Sequence, residues 1–147
     1  MTLVDANVLL NAVNSAAPDH ASAKRWLDDA LAGGAPVGFA WVVLLAFTRL
    51  STRAGLFPRP LTVDDVGRIL HAWLSAPAAA IQHPGERHLD VLLTLLSSGG
   101  AAGNLTTDAH LAALAIEHHA VVVTFDADFD RFEGVRWHRP TEGAQTR

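Results

Sequence analysis

The stretch VVVTFDADFD, residues 121–130, contains the strongest strand pattern of the chain. It begins with three valines, and a short run of β-branched apolar residues bounded by polar ones is typical of a buried strand. Three aspartates follow within five positions: Asp126, Asp128 and Asp130. The stretch therefore predicts a buried strand whose end carries a cluster of acids.

On either side of this strand, apolar runs and helical patterns alternate along the chain. The runs TLV, PVGFA, AAIQ and VRWH predict further strands. The predicted helices cover ANVLLNAV, DHASAKRWLDDALAGG, WVVLLAFTRLSTRAG, LTVDDVGRILHAWLSA, ERHLDVLLTLLSSGG and TTDAHLAALAIEHHA. Alternation of this kind predicts an α/β fold, an α/β/α sandwich with a mostly parallel central sheet. We expect one domain over residues 1–140 and a flexible polar tail over residues 141–147.

Polar residues at the starts of the helices predict where these begin. Asp19 is expected to cap the second helix and Thr62 the fourth. Thr106 or Thr107 is expected to mark the start of the last helix, with Asp108 in its first turn.

The composition limits the chemistry of this 147-residue chain. Half of the residues are apolar, which is enough for one domain with a sizeable core. The absence of cysteine excludes disulfides, zinc thiolates and cysteine nucleophiles. The net charge of -4 argues against a protein that coats nucleic acid. Because no targeting signal or membrane-spanning run is visible, we expect a soluble, cytoplasmic protein without a membrane partner.

Carboxylates from three separate parts of the chain are predicted to converge. Asp5 ends the first strand, Asp126 follows the strand at residues 121–123, and Asp108 opens the helix before that strand. Ligands of such sheets bind at the carboxyl ends of the strands. Each aspartate alone is also a common turn or cap residue, so only their combination indicates a function.

Converging carboxylates repel one another, and a hard divalent cation removes that cost. Mg²⁺, or Mn²⁺ as a substitute, prefers oxygen ligands and is usually held by one or two carboxylates together with substrate phosphate. The chemistry that fits such a site is phosphodiester hydrolysis.

The segments LVDANVLL, WVVLLAFTRL and GNLTTDAHLAALAIEHHAVVVTFDADFDRFEGVRW resemble the PIN domain, and more narrowly the VapC family of bacterial toxin ribonucleases. The resemblance runs from Thr2 to about Pro140. Its most specific part joins a D-A-x-x-A-A-x-A helix to a strand that ends in T-x-D-x-D-F. By this resemblance the catalytic residues are Asp5, Asp108, Asp126 and Asp128, and the first three hold metal. The supporting polar residues that it implies are Asn7 and Thr124.

The resemblance also implies an activity and partners. It implies a Mg²⁺-dependent endoribonuclease, the toxin of a toxin–antitoxin pair, which hydrolyses structured RNA such as tRNA. It further implies a small cognate antitoxin and a homodimer.

One position departs from the family pattern. Many members have a glutamate in the middle helix, in a pattern like LAEFLR, and Ala46 stands in its place here. Either one metal is held by the aspartates alone, or another acid such as Glu86 compensates. The alternative function is a module that binds RNA or antitoxin with weak or no cleavage.

Three arginines are candidates for RNA binding. Arg49 and Arg53 are four residues apart and share a helix face, and Arg87 lies beside His88 in a later segment. The alternative for Arg49 and Arg53 is that they cap the helix end and remain in solvent.

Two other enzyme classes also gather aspartates at strand ends. A phosphoaspartyl receiver needs a lysine near its last strand, whereas Lys24, the only lysine, lies in an early helix. A haloacid-dehalogenase-type phosphatase needs Asp-x-Asp after its first strand, and this chain has Asp5-Ala6-Asn7. Both classes fit the sequence less well.

Overall fold

The computed structural model describes residues 1–98, 103 and 105–140, and its centre is a parallel sheet. The five strands of this sheet are β1 (Thr2–Val4), β2 (Val37–Phe39), β3 (Ala79–Ile81), β4 (Val121–Val123) and β5 (Trp137–His138). Their order is β3-β2-β1-β4-β5, and each neighbouring pair is parallel. The predicted α/β/α sandwich with a mostly parallel sheet is confirmed. The predicted tail, residues 141–147, lies outside the described residues.

Helices connect the strands at each of the predicted places. They are α1 (Ala6–Val13), α2 (His20–Ala32), α3 (Trp41–Thr52), α4 (Val63–Leu74), α5 (His88–Ser98) and α6 (Thr106–Glu117). A short 3₁₀ helix, Ala127–Arg131, follows β4 and was not predicted. No helix among the described residues is long and apolar enough to cross a bilayer.

The predicted cap at Thr62 and the predicted start of α6 are confirmed. Thr62 forms a capping box: its hydroxyl accepts from the Asp65 amide at 3.1 Å, and its amide donates to the Asp65 carboxylate at 2.9 Å. Helix α6 begins at Thr106, with Asp108 in its first turn, and Leu105 at its cap position makes no side-chain cap bond. Asp19 occupies the cap position of α2 but makes no side-chain cap bond, because its backbone has already turned to φ −92°, ψ 10°.

The order of the strands creates a switch point between β1 and β4. From β1 the chain adds β2 and then β3 on one side, and afterwards returns to add β4 and β5 on the other side. The helices of the first half pack together, α1 against α2 and α3, while α5 packs against α6. Connections that leave a parallel sheet in opposite directions open a crevice at the carboxyl ends of the strands where they diverge. Asp5 and Thr124 directly follow those two strand ends.

The core lies on both sides of the sheet and fixes the strand ends. Phe39, Phe47 and Phe129 are fully buried. Phe47 also meets Trp73 edge to face, with ring centroids 5.1 Å apart, which ties α4 to α3. Close packing favours glycine at position 38, because a Cβ there would lie 3.0 Å from side-chain carbons of both Leu3 and Gln82.

Candidate active site

Asp5 joins the end of β1 to the start of α1. Its amide donates to the carbonyl of Val123 on β4 at 3.0 Å, so the residue lies at the junction of the two central strands. Its Oδ1 accepts from the Ala6 amide at 2.7 Å and caps α1. One carboxylate oxygen therefore caps the helix, and the other accepts hydrogen bonds from Thr124 and Asn7.

Thr124 is a fully buried hydroxyl at the centre of the site. Its Oγ1 donates to Oδ2 of Asp5 at 2.7 Å. The same oxygen accepts from Nδ2 of Asn7 and from the amide of Asp126, each at 3.0 Å. A single hydroxyl thus fixes the positions of an aspartate after β1 and an aspartate after β4.

Asn7 is the second residue that links the two strand ends. Its Nδ2 also donates to Oδ2 of Asp5 at 3.1 Å, and its Oδ1 accepts from the Phe125 amide at 3.1 Å. With Thr124 it forms a network that spans 117 sequence positions. The structure brings both predicted supporting residues to the predicted place.

Asp126 and Asp128 lie at the start of the 3₁₀ helix. Oδ1 of Asp126 accepts from the Asp128 amide at 2.8 Å and caps this helix. Oδ1 of Asp128 lies 3.7 Å from Nε of Arg131, with about half of each side chain exposed. Sequence analysis missed Arg131, although its spacing of three residues from Asp128 suits a helical ion pair.

Asp130, the third acid of the opening stretch, has a different role. Its carboxylate accepts from the indole nitrogen of Trp137 at 2.7 Å. Asp130 therefore ties the 3₁₀ helix to β5, and the carboxylates that raise the pKa of Asp108 do not include it.

Asp108 approaches the other carboxylates from the first turn of α6. Its pKa is raised from 3.8 to about 6, chiefly by burial and in addition by the negative charges of Asp5, Asp126 and Asp128. Three regions of the chain thus place four carboxylates in one electrostatic field. Such a field opposes the ionisation of each member.

The pKa of Asp5 is also raised, chiefly by burial. Hydrogen bonds from Thr124, Ala6 and Asn7 act in the opposite direction, while the charge of Asp126 adds to the rise. Asp5 is therefore a buried acid whose charged form depends on its hydrogen-bond donors.

The donors of this cluster are all oxygen atoms, which fits a hard divalent cation. The raised pKa values also fit, because a cation offsets the repulsion that causes part of them. Among the described residues, no three Asp, Glu or His side chains stand close enough together to hold one ion between them. The donors thus have the chemistry of a Mg²⁺ or Mn²⁺ site, but they stand farther apart than the ligands of one bound ion.

The middle helix adds no acid to this cluster. Ala46 lies in the second turn of α3 and is partly buried. None of the other residues from Trp41 to Thr52 is acidic. Glu86 does not fill this role either, because it lines a separate cavity with Glu117 at the C-terminal end of α6. That end lies about 13 Å along the helix from Asp108.

None of the three candidate arginines is among the charges that shift the pKa of Asp5 or Asp108. Arg49 is exposed in the last turn of α3, and Arg53 follows the end of that helix. They are about 12 and 18 Å along the axis from the start of α3 at the strand edge. Arg87 lines the same cavity as Glu86.

His88 belongs to a partly buried network of polar side chains between α5 and α6. Its Nδ1 is 2.6 Å from Oε2 of Glu117, and its Nε2 is 2.8 Å from Nδ1 of His110. Oε1 of Glu117 accepts from the Gly85 amide at 3.1 Å. This chain of polar groups fixes α5 to α6, the helix that carries Asp108.

The comparisons with known proteins agree with this geometry. The family model for the PIN domain matches residues 2–135. Ribonuclease VapC37 of Mycobacterium tuberculosis is 54% identical over 140 residues, which are 95% of this chain and 97% of that protein. Ribonuclease VapC33 of the same species is 38% identical over 140 residues, 95% of this chain and 98% of that protein.

Solved structures show the same fold at lower sequence identity. VapBC2 from Rickettsia felis, bound to a promoter DNA fragment, has a TM-score of 0.69 at 19% identity and covers 94% of this chain and 97% of its own. VapC20 of Mycobacterium tuberculosis, called a sarcin-ricin loop cleaving toxin, has a TM-score of 0.68 at 19% identity, with 92% and 99% covered. The chain belongs to the PIN domain family and, within it, to the VapC ribonucleases.

Proposed function

We propose that this protein is a Mg²⁺-dependent endoribonuclease and the toxin of a toxin–antitoxin pair, acting in the cytoplasm on structured RNA such as tRNA. The observation that carries the proposal is the electrostatic coupling of Asp108 to Asp5, Asp126 and Asp128 at the switch point of the sheet. It is supported by two relatives that are named ribonucleases and that match 95% of this chain.

In this proposal Asp5, Asp108 and Asp126 move closer together to hold the cation, and Asp128 assists them. When bound, Mg²⁺ or Mn²⁺ lowers the pKa of water and offsets charge on the phosphate. Thr124 and Asn7 orient Asp5, and the Thr124 hydroxyl also sets the backbone position of Asp126. The chain thus fixes Asp5 and the backbone of Asp126 in advance, at the carboxyl ends of β1 and β4.

Arginines are the proposed contacts of the RNA backbone. Arg131 is nearest to the cluster, and its ion pair with Asp128 is long and half exposed, so its guanidinium is free to turn towards a phosphate. Arg49, exposed in the last turn of α3, and Arg53, exposed just after that helix, serve more distant phosphates in this proposal. For Arg87, the proposal is weaker because the residue lies on the cavity beside Glu117.

A cleavage assay tests the activity. Purified protein is incubated with tRNA or total RNA in Mg²⁺, in Mn²⁺ and in EDTA. We expect cleavage with either metal, none in EDTA, and a loss of at least about a hundredfold in Asp5→Ala, on the scale of removing one electrostatic catalytic group. Intact RNA with every divalent metal would overturn the nuclease.

The second candidate is a module that binds RNA or antitoxin and cleaves weakly, and Ala46 is the observation that favours it. The variant Ala46→Glu separates the two functions. If the aspartates suffice, Ala46→Glu changes the rate of cleavage by less than about tenfold. If the missing glutamate limits activity, the variant cleaves RNA that the wild type only binds.

A cognate antitoxin and a homodimer are the proposed protein partners. Solved relatives include toxin–antitoxin complexes, such as one from Klebsiella pneumoniae. On this chain, Trp41 and Leu45 are 49% and 61% exposed and share one face of α3, and Leu89 and Leu93 do the same on α5. Exposed apolar faces of this kind mark interaction surfaces. Light scattering of the wild type and Leu45→Lys tests the homodimer, since we expect the variant to shift towards monomer.

A further inference from the structure

A second cavity opens beside the carboxylate cluster, along α1. Its volume is about 430 Å³, which is within the range of sites for small ligands. Asn7 lines it and also belongs to the network around Asp5, so the cavity adjoins the candidate active site. The side chains that give the cavity its character are Asn7, Leu10, Asn11, Asn14, Pro18 and Leu56.

The cavity is uncharged, unlike the cluster next to it. Its remaining lining residues are two alanines, so none of the side chains around it ionises. A phosphate is therefore a poor occupant, whereas a flat, neutral group with polar edges fits. The apolar wall formed by Leu10, Pro18 and Leu56 suits one face of such a group.

The three carboxamides differ in how far their hydrogen-bonding groups are already used. Both N–H groups and the oxygen of Asn7 are engaged by Asp5, Thr124 and Phe125. Asn14 donates to the Leu56 carbonyl at 3.3 Å and accepts from the Ala16 amide at 3.2 Å, which leaves one N–H. Neither residue has an oxygen without a hydrogen bond.

Asn11 keeps both kinds of hydrogen-bonding capacity. Its Nδ2 donates once, to the Asn7 carbonyl at 2.7 Å, which leaves a second N–H. No described residue bonds its Oδ1. One free donor beside one free acceptor matches the N7 and N6 amine edge of adenine, the base with which a carboxamide forms a bidentate pair.

We propose that this cavity binds an unpaired adenine next to the cleaved phosphodiester, and that Asn11 recognises the base. The inference rests on the proposed nuclease function and adds a specificity site to it. Sequence-specific proteins commonly recognise RNA through bases that have left the stack, which fits a cavity one helical turn from the carboxylates. A segment of a protein partner is the competing occupant.

Sequencing of cleavage ends tests the inference. A pool of RNA hairpins with randomised loops is cut in Mg²⁺ by the wild type, and base frequencies are normalised to total cleavage. We expect adenine to be enriched on the order of tenfold at one position near the cut. The enrichment disappears in Asn11→Ala, and Asn11→Asp, which only accepts, shifts it towards cytosine. The matched control Asp64→Asn, at an exposed site on α4, keeps it.

A binding measurement separates this inference from the nuclease proposal. Adenosine and cytidine monophosphates are titrated into the metal-free protein, and the Asn11 side-chain amide is followed by NMR. A shift with the adenosine nucleotide alone supports the cavity, even if no RNA is cut. Cleavage without base preference, or a preference that survives Asn11→Ala, overturns the inference and leaves the nuclease intact. An Asn11 amide that responds only to the purified antitoxin also overturns it.

Discussion

Asp108 is the residue at which the electrostatic cost of the site is largest. It is half-buried, three other aspartates raise its pKa, and no described basic residue pairs with it. A carboxyl group with a pKa of about 6 in the folded protein and 3.8 in the unfolded chain binds more protons when folded. Its contribution to stability is therefore present at low pH and is lost as the pH rises from about 4 through 6.

The first prediction concerns Asp108→Asn. At pH 7 in EDTA we expect the variant to be more stable than the wild type by about 1–2 kcal/mol, after allowance for solvent screening of a half-exposed group. Urea unfolding between pH 4 and 8 measures this difference, which should shrink towards pH 4. A difference that is constant with pH would contradict the account, because a packing change does not titrate.

The second prediction concerns the buried hydroxyl of Thr124. Thr124→Val keeps the shape of the side chain but removes the donor to Asp5 and the acceptor for Asn7 and Asp126. We expect a loss of about 1–3 kcal/mol in the free energy of unfolding. The control is Thr94→Val on α5, where an exposed hydroxyl bonds only to the Asp90 carbonyl; it should change stability by about 0.5 kcal/mol or less. Equal losses in the two variants would contradict a central role for Thr124.

At the scale of elements, α6 is held in place by a polar network outside the carboxylate cluster. The network of Glu117, His88 and His110 fixes α5 to α6, and burial lowers the pKa of His110. The position of Asp108 thus depends on contacts along its own helix, from His110 in the second turn to Glu117 in the last.

The third prediction tests this connection. Glu117→Ala leaves the Gly85 amide and His88 without their acceptor, so we expect a loss of about 1–3 kcal/mol. Hydrogen exchange should show faster opening of α5 and α6 than of α2. Glu86→Ala is the matched control, an exposed acid in the neighbouring loop, and should leave exchange unchanged. Uniformly faster exchange in all helices would contradict a local link.

The elements differ in how well the sequence predicts them. The strands and the Thr62 cap follow from local patterns, namely short β-branched runs and a threonine three residues before an aspartate. The convergence of Asp5, Asp108 and Asp126 was also predictable, because parallel strands end at one edge. The start of α6 at Thr106 was predicted as well, although Leu105 before it makes no side-chain cap bond. The bond between Glu117 and His88 joins residues 29 positions apart, a relation that no local pattern encodes.

At the scale of the molecule, the net charge is -4, and four of the carboxylates lie together at the switch point of the sheet. The connections that follow β1 and β4 lead to opposite sides of the sheet there, and the four carboxylates lie where they diverge. A cation that binds the folded state alone stabilises the protein by mass action.

The fourth prediction follows from this linkage. Added Mg²⁺ should raise the melting temperature saturably, with a stabilisation of about 2.7 kcal/mol at a hundred times its dissociation constant. Sodium chloride at matched ionic strength should not reproduce the effect. Asp126→Asn should weaken it, whereas a full Mg²⁺ effect in that variant would place the cation elsewhere.

The most direct test of the central claim compares two aspartates of the same segment, residues 126 and 130. Asp126→Asn removes a carboxylate from the cluster, while Asp130→Asn keeps an acceptor for Trp137 and leaves the cluster complete. Single-turnover cleavage of tRNA or total RNA in Mg²⁺ is measured for both variants and the wild type. We predict a loss of about a hundredfold or more in Asp126→Asn and near wild-type cleavage in Asp130→Asn. Equal activity of the two variants would contradict the assignment of the site.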